Sequence, residues 1–190
     1  MMLTSIKNAE MDEILQKYKG RFVCWGHRIY AITDAKGRYM LSTISENTWA
    51  PVCSLASFRR VVLHSLINKS SKLEAIDIKN AYLQCEWDPS DLIGLGAHYI
   101  ELEKNQLKNM PEDIRQKAEK LKRPMFRMQK ALYGHPVSAQ VFITAVRRLL
   151  AANDFVESDE DPALLKKDNL MVAIYVDDVI ASGPQGELKS

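Results

Sequence analysis

Long apolar runs are missing from this chain of 190 residues, and that absence excludes a first group of functions. No stretch approaches the roughly 20 apolar residues of a membrane span. The N-terminal Met1-Met2-Leu3-Thr4-Ser5-Ile6-Lys7 lacks the continuous apolar segment of a secretory leader. Cysteine is scarce. Cys24, Cys53 and Cys85 are odd in number, far apart and without Cys-x-x-Cys spacing, which favours free thiols in a reducing compartment over a disulfide framework or a thiolate metal site. The expectation is an intracellular protein, cytoplasmic or nuclear, not secreted and with no membrane partner. An excess of one charge is also missing: 26 Lys+Arg against 24 Asp+Glu leave a net +2. Global charge therefore does not announce nucleic acid, and any electrostatic footprint must come from local clusters. No internal repeat or low-complexity tract interrupts the chain. What remains is an ordinary globular composition, 46% hydrophobic and 26% charged, long enough for one sizeable core or a core plus a small lobe.

The hydrophobic pattern divides the chain into elements. Met11, Ile14, Leu15 and Tyr18 form a helical stripe over residues 9–18, stopped by Gly20. Ile29-Tyr30-Ala31-Ile32 and Tyr39-Met40-Leu41 flank the turn signal Asp34-Ala35-Lys36-Gly37 and predict a hairpin. Residues 54–68 read as a helix capped by Ser54, with an apolar face of Leu55, Phe58, Val61, Val62, Leu66 and Ile67. Residues 73–78 form a strand that runs into Asp77. Residues 86–122 are a polar insertion holding a short helix from Pro111 to Lys122, and residues 124–130 read as a strand. Residues 137–150 form a second amphipathic helix, with Val137, Val141, Phe142, Ala145, Val146, Leu149 and Leu150 on one face. Strands over 163–166, 170–176 and 179–182 follow, joined by turns at Lys167-Asp168-Asn169 and Asp177-Asp178. This order predicts an α+β fold, an antiparallel sheet backed by helices.

The chemistry concentrates in Ile174-Tyr175-Val176-Asp177-Asp178-Val179-Ile180. Val, Ile and Tyr favour strands, yet adjacent carboxylates inside a strand repel each other and lose hydration. A hairpin whose tight turn carries both acids resolves the conflict. The two carboxylates then point at one place, where a divalent cation would turn repulsion into coordination.

Tyr175-Val176-Asp177-Asp178 resembles the central hairpin of a reverse-transcriptase palm, and further blocks extend the resemblance. Asp77-Ile78-Lys79-Asn80-Ala81-Tyr82-Leu83 is similar to the Asp-[Val/Ile]-Lys-x-Ala-[Phe/Tyr]-Leu block of Ty1/copia retrotransposon polymerases. Thr48-Trp49-Ala50-Pro51-Val52, Ser57-Phe58-Arg59 and Lys130-Ala131-Leu132-Tyr133-Gly134 resemble three more blocks of that class, in the same order. The resemblance covers roughly residues 48–182 and departs after Gly134, where His135-Pro136-Val137-Ser138 replaces the usual Leu-Lys-Gln-Ala.

The resemblance implies a palm with a partial fingers lobe: residues 1–47 a divergent fingers piece, residues 48–190 the palm and fingers core. A thumb and ribonuclease H domain are expected to be absent. It implies RNA-directed DNA polymerase activity by two-metal nucleotidyl transfer. Asp77, Asp177, Asp178 and the carbonyl of Ile78 would hold two Mg²⁺ ions, for which Mn²⁺ substitutes. Hard cations take oxygen ligands, which is why the set is aspartate rather than His or Cys. Tyr82 would exclude a 2′-hydroxyl by bulk, Tyr175 would lie near the primer end, Gly134 would let backbone approach nucleotide or template, and Arg59 would reach phosphate. For Tyr82 and Tyr175 the alternative is an aromatic in the core or sheet, for Gly134 a helix-entry turn, for Arg59 a solvated helix surface. His135 reads as a turn residue. The implied partners are an RNA or DNA template with primer, deoxynucleoside triphosphates and other segments of a retroelement polyprotein, with a retroelement particle in the cytoplasm as one location. The alternative function is a non-catalytic retroelement remnant that binds nucleic acid or protein.

Overall fold

The computed structural model describes residues 2–32, 38–41, 48–87, 97–108 and 110–188. In chain order the elements are β1 (Met2–Lys7), β2 (Lys17–Phe22), β3 (Ile29–Ile32), β4 (Tyr39–Leu41), α1 (Leu55–Ile67), β5 (Ser71–Asp77), α2 (Ala81–Gln84) and β6 (His98–Glu101). They continue with α3 (Lys104–Leu107), α4 (Glu112–Glu119), β7 (Met125–Arg127), α5 (Ser138–Ala151), β8 (Val156–Glu157), β9 (Leu164–Lys167), β10 (Leu170–Tyr175) and β11 (Asp178–Pro184). The fold mixes helices with antiparallel sheets and divides into two compact units, each built from two chain segments. The first unit holds residues 1–46 and 86–138, the second residues 47–85 and 139–190. Residues 86–138 thus group with the N-terminal segment rather than with residues 47–85 and 139–190.

In the first unit, β1 and β2 pair antiparallel from Met2↔Phe22 to Lys7↔Lys17. This hairpin replaces the helix expected over residues 9–18, of which only a 3-10 turn at Glu13–Leu15 survives. The stripe has nothing to cover it: Ile14 is 95% and Tyr18 88% exposed. A helix that short, without a buried face, is marginal in water. The turn is held instead by side chains, the Gln16 amide donating to the Met11 carbonyl at 2.9 Å.

The hairpin of β3 and β4 forms as its sequence predicts; its turn, residues 34–37, lies outside the described residues. The insertion supplies β6, unrecognised in the sequence, which together with β7 completes a four-stranded sheet in the order β4-β3-β6-β7. Within this unit His98, His135 and Trp87 cluster in the interior. The Val137 N–H donates to His135 Nδ1 at 3.1 Å, so the proton of the neutral ring sits on Nε2, which faces His98 Nδ1 at 3.0 Å. Burial and the neighbouring His98 push the His135 pKa down from 6.5 to about 3.

A base whose folded pKa is depressed binds fewer protons folded than unfolded, so its stabilising contribution is complete above pH 6.5 and shrinks as pH falls toward 3. Urea midpoints measured from pH 7 to 4 should therefore fall less steeply in His135→Asn than in the native chain; parallel curves would refute the buried neutral imidazole.

In the second unit the sheet order is β5-β11-β10-β9-β8, antiparallel throughout. Ser54 caps α1, its hydroxyl accepting the Ser57 N–H at 3.1 Å. The buried Asp161 ties this cap to the sheet, accepting from the Ser54 N–H at 2.9 Å, the Ala163 N–H at 3.0 Å and the Ser57 hydroxyl. Burial opposes its charge, but these hydrogen bonds outweigh burial and hold its pKa below the usual value. At the other end of α1, His64 Nδ1 lies 2.9 Å from the buried Ser182 hydroxyl of β11.

The core between α1 and the sheet is Cys53, Val61, Ala163, Leu164, Ala173 and Ile180. Of the apolar face expected on α1 only Val61 is fully buried, while Leu55, Phe58, Leu66 and Ile67 are exposed. On α5 the buried apolar side chains are Val141, Phe142 and Ile143, whereas the expected Ala145 and Leu149 face solvent. All three cysteines are buried, and none is in a disulfide. Among the described residues no helix is long and apolar enough to cross a membrane.

Candidate active site

Strand register creates the site. In the pairing of β11 with β5, Asp178 stands directly opposite Asp77, and Val179 opposite Ile76. The adjoining Ile78 N–H donates to the Asp177 carbonyl at 2.9 Å, so Ile78 and Asp177 form a hydrogen-bonded pair. Antiparallel pairs alternate, which makes Asp77 and Asp178 a non-hydrogen-bonded pair, the type that brings side chains closest. Cβ atoms in such pairs lie about 4.5–5.5 Å apart, and like charges there are destabilising. Tyr175 pairs with Asp178 from the other side, so Asp77, Asp178 and Tyr175 share one sheet face. This is the face that carries Ala75, Ala173 and Ile180 toward α1.

The acids sit at the hairpin end of that face. Tyr175↔Asp178 is the last pair of β10 and β11, leaving a two-residue loop of Val176 and Asp177. The loop is thus one position earlier than the Asp177-Asp178 turn read from the sequence, and Asp178 is the first residue of β11. Val176 takes φ +53°. Two-residue hairpins favour glycine or asparagine at positive φ because their twist matches that of the strands. A β-branched residue there is strained, at a cost of roughly 1–3 kcal/mol. Sequence reasoning missed this feature, although its sign was legible: a two-residue loop without Gly or Asn forces some residue into that region.

Beside the acids lies a pocket of about 390 Å³, bordered by Cys53, Phe58, Asp77, Ala173, Tyr175 and Asp178 among others. It is mainly apolar, with the two carboxylates at its rim. Phe58, expected on the core face of α1, is partly exposed and lines this pocket instead. Tyr175 is the last residue of β10, a strand aromatic of the sheet, and is 55% exposed. Tyr82 lies on α2 just after β5, half-buried, with its ring edge-on to the buried Phe142 at 5.9 Å. Asn80 opens that short helix at φ +53°.

Two further expected residues are not part of the β5–β11 pairing. Arg59 is exposed on α1, where its neighbour Arg60 pairs with Glu160 at 2.5 Å. Gly134 belongs to the first unit, and its requirement for glycine arises there. Its φ is +84°, and a Cβ would meet the Cys24 carbonyl oxygen at 2.2 Å.

Asp77, Asp177 and Asp178 offer hard carboxylate oxygens, partly or fully exposed, and so suit Mg²⁺ or Mn²⁺ in chemistry. Among the described residues no three His, Cys, Asp or Glu side chains are gathered into a ready ligand cage. A divalent cation here would have to draw further ligands from a substrate, as Mg²⁺ commonly does from phosphates.

No family model matches the chain, and no solved structure matches it. Over 181 residues, 93% of its length, it is 24% identical to the "Retrovirus-related Pol polyprotein from transposon RE1" of Arabidopsis thaliana. It is 23% identical over the same length to the corresponding RE2 polyprotein of that plant. The chain spans 10% of the length of each of these relatives. This distant likeness supports a retroelement origin, in a region derived from a retrotransposon Pol polyprotein.

Proposed function

We propose that the chain is a catalytic segment of a Ty1/copia-type reverse transcriptase, an RNA-directed DNA polymerase. On this reading the second unit serves as palm and the first as part of the fingers. The observation that carries it is the opposition of Asp77 and Asp178 across β5 and β11, beside a strained loop that holds Asp177. A fold gains nothing from facing two carboxylates unless something positive occupies the space between them.

Asp77, Asp177 and Asp178 would hold Mg²⁺, with the Ile78 carbonyl as a further oxygen donor. Bound there, the metal supplies Lewis-acid activation of a primer hydroxyl and neutralises triphosphate charge. The protein's own contribution is position. Pairing of β5 with β11 fixes two carboxylates on rigid strands, and the loop aims the third. Tyr82, braced against Phe142, supplies a flat wall against which a deoxyribose fits and a 2′-hydroxyl clashes. Tyr175, exposed beside Asp178, offers an aromatic surface to a primer end. Template, primer and deoxynucleoside triphosphates are the partners.

The lack of a gathered three-ligand cage among the described residues favours a second reading, a non-catalytic retroelement remnant that binds nucleic acid or protein. Primer extension on an RNA template, with Mg²⁺ or Mn²⁺, separates the two. A net charge of +2 provides few phosphate contacts, so slow extension is expected, lost in Asp177→Asn. Extension no greater than that of Asp177→Asn, with either metal, assigns the chain to the second reading.

A further inference from the structure

Strand β10 is held unequally at its hairpin end. On one side β11 pairs with it as far as Tyr175↔Asp178, the last pair before the loop. On the other, β9 pairs with it only from Leu170↔Lys167 to Ala173↔Leu164. The next pair along that ladder, Ile174 with Ala163, forms by half. The Ile174 N–H donates to the Ala163 carbonyl at 2.9 Å. In a regular antiparallel pair the Ala163 N–H would return the bond. It donates to Asp161 Oδ1 at 3.0 Å instead, and the Ile174 carbonyl accepts the Cys53 N–H at 2.8 Å. Asp161 Oδ2 accepts the adjacent Ser54 N–H at 2.9 Å and also the Ser57 hydroxyl. One carboxylate therefore holds both segments that hold Ile174.

Asp161, Cys53, Ser57, Ala163 and Ile174 are all buried, so water is a poor substitute for these bonds. Ile174 is the last residue of β10 that bonds away from β11, because Tyr175 faces β11 as the partner of Asp178. Next come Val176 at φ +53°, Asp177 and Asp178. A strained loop persists only where its surroundings over-determine it. Around this loop β11 contributes the Tyr175↔Asp178 pair, and Ile78 contributes its bond to the Asp177 carbonyl. A third tie is the pair of bonds on Ile174, and both run through segments that Asp161 clamps. The same clamp seats the entry to α1, from which Cys53 and Phe58 border the pocket beside the acids.

We propose that Asp161 is the positioning residue of the acidic hairpin: by clamping Ser54 and Ala163 it fixes Ile174, and with it the strained loop that aims Asp177 and Asp178. It acts through the backbone of residues 53, 163 and 174, not as a ligand. Amide hydrogen exchange of the full chain in chelator reads the clamp. In the native chain the Cys53, Ala163 and Ile174 amides should open together, with protection within about threefold of one another. Asp161→Asn keeps the shape but puts an NH₂ group where one acceptor oxygen stood. Protection of these amides should then fall about tenfold or more beyond the change in global stability, the loss of a hydrogen bond to a charged group. The loss should extend to the Ile78 amide, which reports where the Asp177 carbonyl lies. Ile143→Val, a buried change on α5 outside the clamp, should lower protection only as global stability falls.

Mn²⁺ affinity, read from the paramagnetic resonance of the free ion, should weaken about threefold or more in Asp161→Asn and stay unchanged in Ile143→Val. This second measurement rests on the proposed reading of the acids as a cation site, whereas exchange does not. A native chain that binds no Mn²⁺ removes that reading, and exchange at Ile78 still decides the role of Asp161. Native protection that differs more than about tenfold among the three clamp amides overturns the proposal without any variant. So does an Asp161→Asn chain that matches Ile143→Val at these amides, or one that loosens them and leaves Ile78 unchanged.

Discussion

Asn in place of Asp77 is expected to make the metal-free chain more stable and to remove both its response to metal and its polymerase activity. Asp77 and Asp178 face each other as a non-hydrogen-bonded pair, where two negative charges repel across a short gap. Converting one to a neutral amide of similar size relieves this by roughly 0.2–1 kcal/mol, the range for cross-strand charge pairs. A structural aspartate would behave in the opposite way, because removing a stabilising carboxylate lowers stability. The native chain should gain thermal stability on adding Mn²⁺ or Mg²⁺, by about 1.4 kcal/mol at metal near ten times its dissociation constant. Asp77→Asn should show no such gain, and extension should fall about a thousandfold or more, in line with the loss of a group that stabilises developing charge. Melting curves in chelator and in metal read both halves. A variant less stable than the native chain in chelator, and equally responsive to metal, would remove Asp77 from the site.

Alanine in place of Gly134 should unfold the first unit at moderate temperature. Residues 133 and 134 run beside residues 23 and 24: Val23 bridges Tyr133, and the Cys24 N–H donates to the Tyr133 carbonyl at 2.8 Å. A methyl group at Gly134 would sit 2.2 Å from the Cys24 carbonyl oxygen and 2.6 Å from Val23 Cγ1. The obstacle is partly backbone, so no side-chain rotation can clear it. The left-handed φ adds about 1–2 kcal/mol for any side chain, and overpacking about 1–3 more, a total of about 2–5 kcal/mol. Such a loss is a large share of a domain's stability. Gly186→Ala is the control: nothing lies within 4 Å of the added methyl, so the change should stay within about 0.5 kcal/mol. Equal denaturant midpoints for the two variants would show that residues 23–24 do not lie against Gly134.

The sequence by itself determined those elements whose causes are local. The α1 cap at Ser54, the β3–β4 and β10–β11 hairpins, and the strand leading into Asp77 follow from capping chemistry and residue alternation, which act over a few positions. The run Tyr175-Val176-Asp177-Asp178 also marked the end of the hairpin on which Asp177 and Asp178 sit. Tertiary structure decided the rest. The amphipathic stripe at residues 9–18 yields to a hairpin because nothing covers its apolar side. The insertion contributes β6, whose four residues form a strand only because β3 and β7 flank it. The loop sits at Val176-Asp177 rather than one residue later, because pairing continues until Asp178 meets Tyr175. Most consequential is the opposition of Asp77 and Asp178. No local rule links residues a hundred positions apart; only the register of β5 on β11 does, and a one-residue slip would turn every side chain of β5 to the other face.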